Sequence, residues 1–590
     1  MTTLTQQLES IVGKDNVLTR DRDTTYYRSG YRYGSGDAAA VVFPATLVEK
    51  WRVLQAAVDA GCAIIVQATK TGLTGGSCPD GAEYGRPVVI INVSKLKGLR
   101  LLRGGTQALA LPGDTLFELT QKLKPINRVP HSVLGSTTIG ATIIGGVANN
   151  AGGALCKRGS SYTELALFAR VNEQGRLELV DHLGIKNVSG TPEEILARVE
   201  AGEFADSDVA GDERAASDTD YINRIRAVDA EVPNRYNADP KRLYDVSGSA
   251  GKVACFAVRV DTYEAPKRKQ VFMLGVNDAR ELVALRCHML TTFEHLPEMA
   301  EYLNRTTFVV AEKYAKDVAL SIKYLGTERL PKAYAIKAKA EYLQNKEPLL
   351  PKYLPDVFLC YASKLFPQHL PKRLREYRDS YEHLLILVTA DDAIEEARSY
   401  LEHEWSKRKG VGFFECTEKE QEAALLHRFS AAGAGIRYQN MHQRTTEEVL
   451  ALDVALRSND PEWVESWPAE VEAQLDVALS YGHYFCHVFH NVYVFKKGTD
   501  TERMKEILLD GLEARGAKFP AEHNFGHMYE ADEVVRQFHE KLDPTNTFNP
   551  GIGKTSKLGR ASTSEPTSAV NDTNAGLSKV SSSAPGSSEG

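Results

Sequence analysis

What most constrains this chain is a pair of glycine-rich segments, about 70 residues apart, inside one region of alternating helix and strand signals. The first, Gln67-Ala68-Thr69-Lys70-Thr71-Gly72-Leu73-Thr74-Gly75-Gly76-Ser77, follows an amphipathic helix predicted over 47–60 and a β-branched strand predicted over 63–67. The second is Gly135-Ser136 and then Gly145-Gly146-Val147-Ala148-Asn149-Asn150-Ala151-Gly152-Gly153. Glycine admits positive φ and lets a ligand approach the bare backbone. The exposed N–H groups, with the hydroxyls of Thr69, Thr71 and Ser77, suit phosphate oxygens. Neither segment is a GxGxxG fingerprint or a GK[ST] phosphate loop. Either one alone reads as a tight turn; together they point to ligand binding.

The rest of the chain sets the frame. Its 590 residues allow about three to five domains, and 43% hydrophobic with 25% charged residues excludes a disordered or coiled-coil body. No apolar run nears the roughly 18 residues of a spanning helix. Residues 1–14 are polar and lack a secretory pattern, so a cytoplasmic chain is expected. Eight cysteines without a CxxC pair read as reduced thiols. A net charge of −7 argues against a generally nucleic-acid-binding surface, and no nucleic-acid partner is expected. Strands are predicted over 87–93 and 108–111, then a Pro112-Gly113-Asp114 turn and a capping box at Thr115-x-x-Glu118. Residues 265–378 lose the alternation and read as an inserted unit. In 561–590, 23 of 30 residues are Ser, Ala, Thr, Gly, Pro or Asn, the composition of a disordered tail.

The glycine segments resemble the T-G-x-x-G-G and G-G-x-x-x-N-A-G-G patterns of the vanillyl-alcohol-oxidase type of FAD-binding domain. Glu522-His523 and Asp543-Pro544-Thr545-Asn546-Thr547-Phe548-Asn549-Pro550-Gly551 resemble the Glu-His and DP-x-N-x-x-NPG signatures of flavin-linked 2-hydroxy-acid dehydrogenases. To about residue 557 the chain looks like the respiratory, quinone-dependent D-lactate dehydrogenases of bacteria. The resemblance implies an α+β fold: a PCMH-type two-subdomain FAD-binding domain, an α/β cap and an inserted, mainly helical, membrane-contacting domain. The implied bounds are 1–262 with a return at 513–556 for the FAD domain, 263–512 for the cap, 304–380 for the insertion and 557–590 for the tail. FAD would be noncovalent, since no His lies in 67–77. Its contacts carry over to Ala68, Thr69, Lys70, Thr71, Gly72, Gly76, Ser77, Gly135, Thr142, Gly152 and Cys255. Lys70 stands where the family has a small residue; it either meets a phosphate or points to solvent.

Oxidation of a 2-hydroxy acid needs a base, a hydride acceptor and a cation for the carboxylate. The family's active-site histidine falls on His523, and imidazole titrates near neutral pH. Arg428 is the first choice for the carboxylate of D-lactate, Arg437 the second. Related dehydrogenases bind a divalent metal through two His seven apart and a Glu before the active-site His; His483, His490 and Glu522 match. Residues 484–490 alternate like a strand, which would put the two histidines on opposite faces. A turn after His483 is required for a metal, and core-packed or substrate-binding histidines are the alternative.

Residues 323–378 hold twelve Lys/Arg and five Asp/Glu, a local balance of +7 interleaved with Tyr and Phe. By composition this is a solvated face, a nucleic-acid surface or an interfacial surface for anionic lipid. The resemblance implies the last: a peripheral enzyme on the cytoplasmic face of the plasma membrane that delivers electrons to membrane quinone.

Overall fold

The computed structural model describes residues 3–560 except 133, 135–136, 138–139, 212, 326–352, 463–465 and 523–524. Of the predicted tail, 561–590 lie outside the described residues, while Lys557 Nζ donates to Asp80 O at 2.6 Å. Three sheets carry the fold. In the first, the strands Ala63–Gln67 and Val88–Asn92, apolar except for their last residues, run parallel, with Ala40–Val42 parallel on the far side and Val17–Leu18 antiparallel at the edge. Strands buried on both faces need no alternation, which is why β-branched runs form them. Helix Leu47–Asp59 covers the sheet and is started by Thr46, whose hydroxyl accepts the Glu49 N–H at 3.0 Å.

The second sheet is antiparallel, in the order Arg100–Leu102, Gln107–Ala110, Ala254–Glu264, Ala166–Val171, Leu177–Asp181, with Arg128–Pro130 paired to the end of the long third strand. Helix Leu116–Leu123 packs on it and carries the expected Thr115/Glu118 capping box.

The third sheet is a seven-stranded antiparallel one, in the order Val411–Glu415, Lys269–Val276, His383–Ala390, Met299–Asn304, Leu475–His483, Val488–Lys496, Thr446–Ala455. Helices Ala279–Thr292 and Ala393–His403 bury their apolar faces on one side. Helices Arg305–Tyr314 and Glu418–Met441 do so on the other. The loss of alternation after residue 265 is therefore misleading at first, because strands Lys269–Val276 and Met299–Asn304 of this sheet flank helix Ala279–Thr292 there, before the helical stretch that starts at Arg305. From Arg305 to Ser380 the described residues are helical: Arg305–Tyr314, Lys316–Leu325, Leu354–Ser363 and Lys372–Ser380. Among the described residues no helix is long and apolar enough to cross a membrane.

The chain closes on its own beginning. Ile64 N–H donates to Thr547 O (2.9 Å) and Asn549 N–H to Ile64 O (2.8 Å), so Phe548 covers the open edge of the first sheet.

Candidate active site

Four neighbouring strands of the third sheet each present one polar side chain on the same face. The registers Glu301↔His483, Tyr481↔His490 and Asp453↔His490 align them across Met299–Asn304, Leu475–His483, Val488–Lys496 and Thr446–Ala455. The sequence conflict over His483 and His490 is resolved by a hairpin. Residues 484–487 are a turn rather than strand, with His487 at φ +54°, and the two histidines end on one face. Their Nε2 atoms lie 3.5 Å apart.

Glu522 completes the cluster from the C-terminal return. Its N–H donates to Asp453 Oδ2 (2.8 Å), and its Oε2 lies 3.0 Å from His483 Nε2. The other nitrogens are also held: His483 Nδ1 by Glu301 Oε1 at 2.7 Å, His490 Nδ1 by Asp453 Oδ1 at 2.9 Å. Burial would neutralise His483, but Glu301 and Glu522 on either side raise it to about 9. Burial would likewise raise Glu522, and the Arg235 guanidinium with His483 instead holds it at about 2.

Arg235 is a residue the sequence does not advertise. Fully buried, it pairs with Glu522 Oε1 and donates to Gly153 O (2.5 Å), Arg158 O (3.0 Å) and Cys486 Sγ (3.2 Å). Gly152 sits against this pair, and a Cβ there would lie 2.6 Å from Glu522 Oε1 and 2.7 Å from Arg235 Nε. The second glycine segment therefore touches the His-His-Glu cluster directly. Glu301 and Asp453 also escape sequence reading, although Glu301 is the one acid of strand Met299–Asn304, which is a usable signal; Asp453 shares its strand with Glu447 and Glu448.

The predicted carboxylate cations part company. Arg428, on helix Glu418–Met441, joins the cluster: its Nε is 2.6 Å from Glu301 Oε2 and its guanidinium lies 4.7 Å over the Tyr481 ring. Arg437, three turns on, instead pairs with Asp317 (3.0 Å) and Asp356 (3.1 Å) of the helical insertion. His523 lies outside the described residues, and the chain is described again from Phe525. His527 N–H donates to Thr74 O (2.9 Å), and Gly526 packs so closely on Thr74 that a Cβ would overlap it.

Of the predicted flavin contacts, Gly135 lies outside the described residues. Ala68, Thr71, Gly72, Gly76 and Ser77 are half-buried along the first loop. Thr69 Oγ1 donates to Gly140 O at 2.8 Å, tying the two glycine regions together. Thr142 caps helix Ile143–Ala148 by accepting the Gly145 N–H. Cys255 is buried on strand Ala254–Glu264. Lys70 turns back onto the chain rather than to solvent. It adopts φ +56° and donates to the carbonyls of Tyr26 and Ser29, with burial lowering its ammonium to about 8. His131, at the head of the second region, is buried with neither ring nitrogen bonded, as in a wall shaped around another molecule.

The three donor atoms of His483, His490 and Glu522 lie within 4.8 Å of one another, the one such grouping found among the described residues. Tetrahedral ligands at about 2.1 Å from a zinc-sized ion stand about 3.4 Å apart. The observed 3.0 and 3.5 Å separations match that spacing. The carboxylates behind both histidines supply the outer support typical of metal-ligating imidazoles.

A family model for an FAD binding domain matches residues 38–177, and one described as D-lactate dehydrogenase, membrane binding, matches 271–560. Among solved structures, 4-ethylphenol oxidase from Gulosibacter chungangensis superposes with a TM-score of 0.57 at 11% identity, covering 94% of this chain and 97% of that one. p-Cresol methylhydroxylase gives 0.54 at 13% identity, covering 94% and 96%. These likenesses show the fold, that of the PCMH-type flavoproteins. The quinone-dependent D-lactate dehydrogenase of Escherichia coli is 49% identical over 93% of this chain and 96% of its own length. Those of Haemophilus influenzae and Corynebacterium glutamicum are 48% and 41% identical, over 94% and 92% of this chain and 98% and 95% of theirs. With such identity along nearly the whole of three relatives, and an FAD-binding half joined to a membrane-binding half, the chain belongs to the quinone-dependent D-lactate dehydrogenase family.

Proposed function

We propose that this chain oxidises D-lactate to pyruvate and passes the electrons to a membrane quinone, docked on the cytoplasmic face of an anionic bilayer. The observation that carries the site is the contact between the Gly152-Gly153 segment and the His483–His490–Glu522 cluster, which brings a polar, charged pocket wall against a flavin loop. The substrate and acceptor follow the relatives' activity.

FAD, when bound, supplies the hydride acceptor. A divalent ion fits His483 Nε2, His490 Nε2 and Glu522, where it would polarise the substrate hydroxyl. Glu301 and Asp453 keep both imidazoles turned toward that point. Arg428, oriented by Glu301 and Tyr481, binds the substrate carboxylate, and Arg437 takes no part. His523 takes the hydroxyl proton, a role resting on its place after Glu522 in the sequence.

Anaerobic addition of D-lactate, L-lactate and D-2-hydroxyglutarate to the purified yellow protein tests the reading. D-lactate is expected to bleach the flavin's visible band rapidly and the others slowly or not at all. Preference for the larger acid would move the substrate, and no bleaching by any acid would remove the dehydrogenase. His523→Ala should retain FAD and lose the bleaching.

A further inference from the structure

Helix Leu354–Ser363 is inside out. Its inward stripe is Asp356, Cys360 and Ser363, at i, i+4 and i+7, all buried. Its outward stripe is Leu354, Phe358, Tyr361 and, in the turn beyond, Leu365; Phe358 is 68% and Leu365 88% exposed. Leu359 and Phe366 are exposed beside them. A helix facing water shows the reverse pattern. The inward side is fastened by polar bonds to helix Glu418–Met441: Asp356 Oδ2 accepts from Asn440 Nδ2 at 2.6 Å, and Arg437 bonds both the Asp356 carboxylate (3.1 Å) and its carbonyl (3.2 Å).

Among the described residues, several cations near this face are paired within the chain. Arg373 is paired with Glu420 (2.6 Å), Arg378 with Glu312, and Arg437 with Asp317 and Asp356, all within the chain. At the rim, Lys364 Nζ lies 4.4 Å over the Tyr361 ring and Lys316 Nζ bonds Phe366 O at 2.6 Å. Ammonium groups beside a row of exposed Phe, Leu and Tyr fit the boundary between anionic headgroups and acyl chains.

We propose that Leu354, Phe358, Tyr361, Leu365 and Phe366 insert into the acyl boundary of an anionic lipid bilayer, so that the lysine rim guides docking and apolar burial holds it. This rests on the membrane-docking reading above and on the membrane-binding family model that spans these residues.

The test is co-sedimentation of the full-length holoprotein with vesicles of equal neutral and anionic phospholipid, at low salt and at about 1 M salt, where the Debye length falls to about 3 Å. The wild type is expected to stay bound in high salt. The Phe358→Ser/Leu365→Ser variant should lose about tenfold or more in partitioning at both salts, because two large side chains no longer leave water. Both residues are exposed, so flavin reduction by D-lactate should be unchanged and reports folding. In a second measurement, Phe358→Trp fluorescence should be quenched by lipids brominated near the glycerol end of the chain. A double variant that binds like the wild type, or an unquenched Phe358→Trp, overturns the insertion. Complete release of the wild type by salt overturns it while leaving electrostatic docking in place. A wild type that binds no vesicle even at low salt removes docking and insertion together.

Discussion

At the scale of single residues, the site is an alternation of charges, Arg428–Glu301–His483–Glu522–Arg235, each within bonding reach of the next. Buried charges are tolerated when paired, and breaking one pair leaves its partner stranded at a cost of about 3–5 kcal/mol. Arg235→Met removes one of the two cations that hold Glu522 and leaves His483, 3.0 Å away, as the other. With one partner kept, the variant is expected to lose an amount at the lower end of that range, about 3 kcal/mol, in urea unfolding. Arg235→Met/Glu522→Gln should lose less than Arg235→Met alone, since the under-paired carboxylate is gone. A double variant as unstable as the sum of its parts would mean the two side chains do not act as a pair. Arg235 carries no motif in Pro233-Asn234-Arg235-Tyr236 and becomes visible only when the fold brings residues 153, 486 and 522 around it.

At the scale of elements, helix Glu418–Met441 connects the two functions. It carries Arg428 into the site and Arg437 and Asn440 onto the helical insertion. Its first turn is set by Glu420, which closes a capping box with Thr417 and accepts from Arg373 Nε (2.8 Å) and Nη2 (2.6 Å). The Arg373 hydrogen bonds outweigh burial and hold the Glu420 carboxyl at about 2, below its ordinary 4.5. A lowered folded value means the stabilisation is complete above about pH 4.5 and is lost as pH falls toward 2. Glu420→Gln is therefore expected to cost about 1–2 kcal/mol at pH 7 and progressively less toward pH 3, measured by urea unfolding at both. A pH-independent difference would locate the effect in packing instead. Helix starts and apolar strands of this kind are legible in sequence, as Thr115/Glu118 and 63–67 show. The hairpin that unites His483 and His490 is not. Its turn, Tyr484-Phe485-Cys486-His487, has no Gly, Pro, Asn or Asp, and is buried rather than exposed. Tertiary bonds fix it: Arg286 Nε to Phe485 O at 2.8 Å, Tyr484 OH to Leu282 O, and His487 Nδ1 to Arg457 O at 3.0 Å. Such a turn is set from outside, and local propensity has nothing to report.

At the scale of the whole molecule, the flavin half is assembled from both ends of the chain. Glycine segments announce themselves because bare backbone is rare and clustered, and their pairing was readable from spacing alone. That residues 543–551 bind the first sheet's edge follows from no periodicity; it is a long-range closure that only the DP-x-N-x-x-NPG resemblance suggested. Asp543 shapes the segment by accepting the N–H groups of Thr547 (2.9 Å) and Phe548 (2.7 Å). Asn549, buried at φ +40°, then donates its amide to Gly76 O (2.9 Å) and Ala250 O (2.7 Å), joining the first glycine segment to the end of the second sheet. Asn549→Ala takes the donor from the buried Ala250 carbonyl, costing about 1–3 kcal/mol, and from the half-buried Gly76 carbonyl, and frees the first glycine segment. Because the loop is fixed before FAD arrives, part of that cost falls on binding, and FAD affinity should drop by about tenfold or more. Flavin released on dilution, followed by the rise in free-FAD fluorescence, measures this directly. The third sheet makes no contact through Asn549, so vesicle binding by the helical insertion should stay at the wild-type level. Unchanged FAD retention would show that Thr69 and its bond to Gly140 hold the loop without help from the C-terminal return.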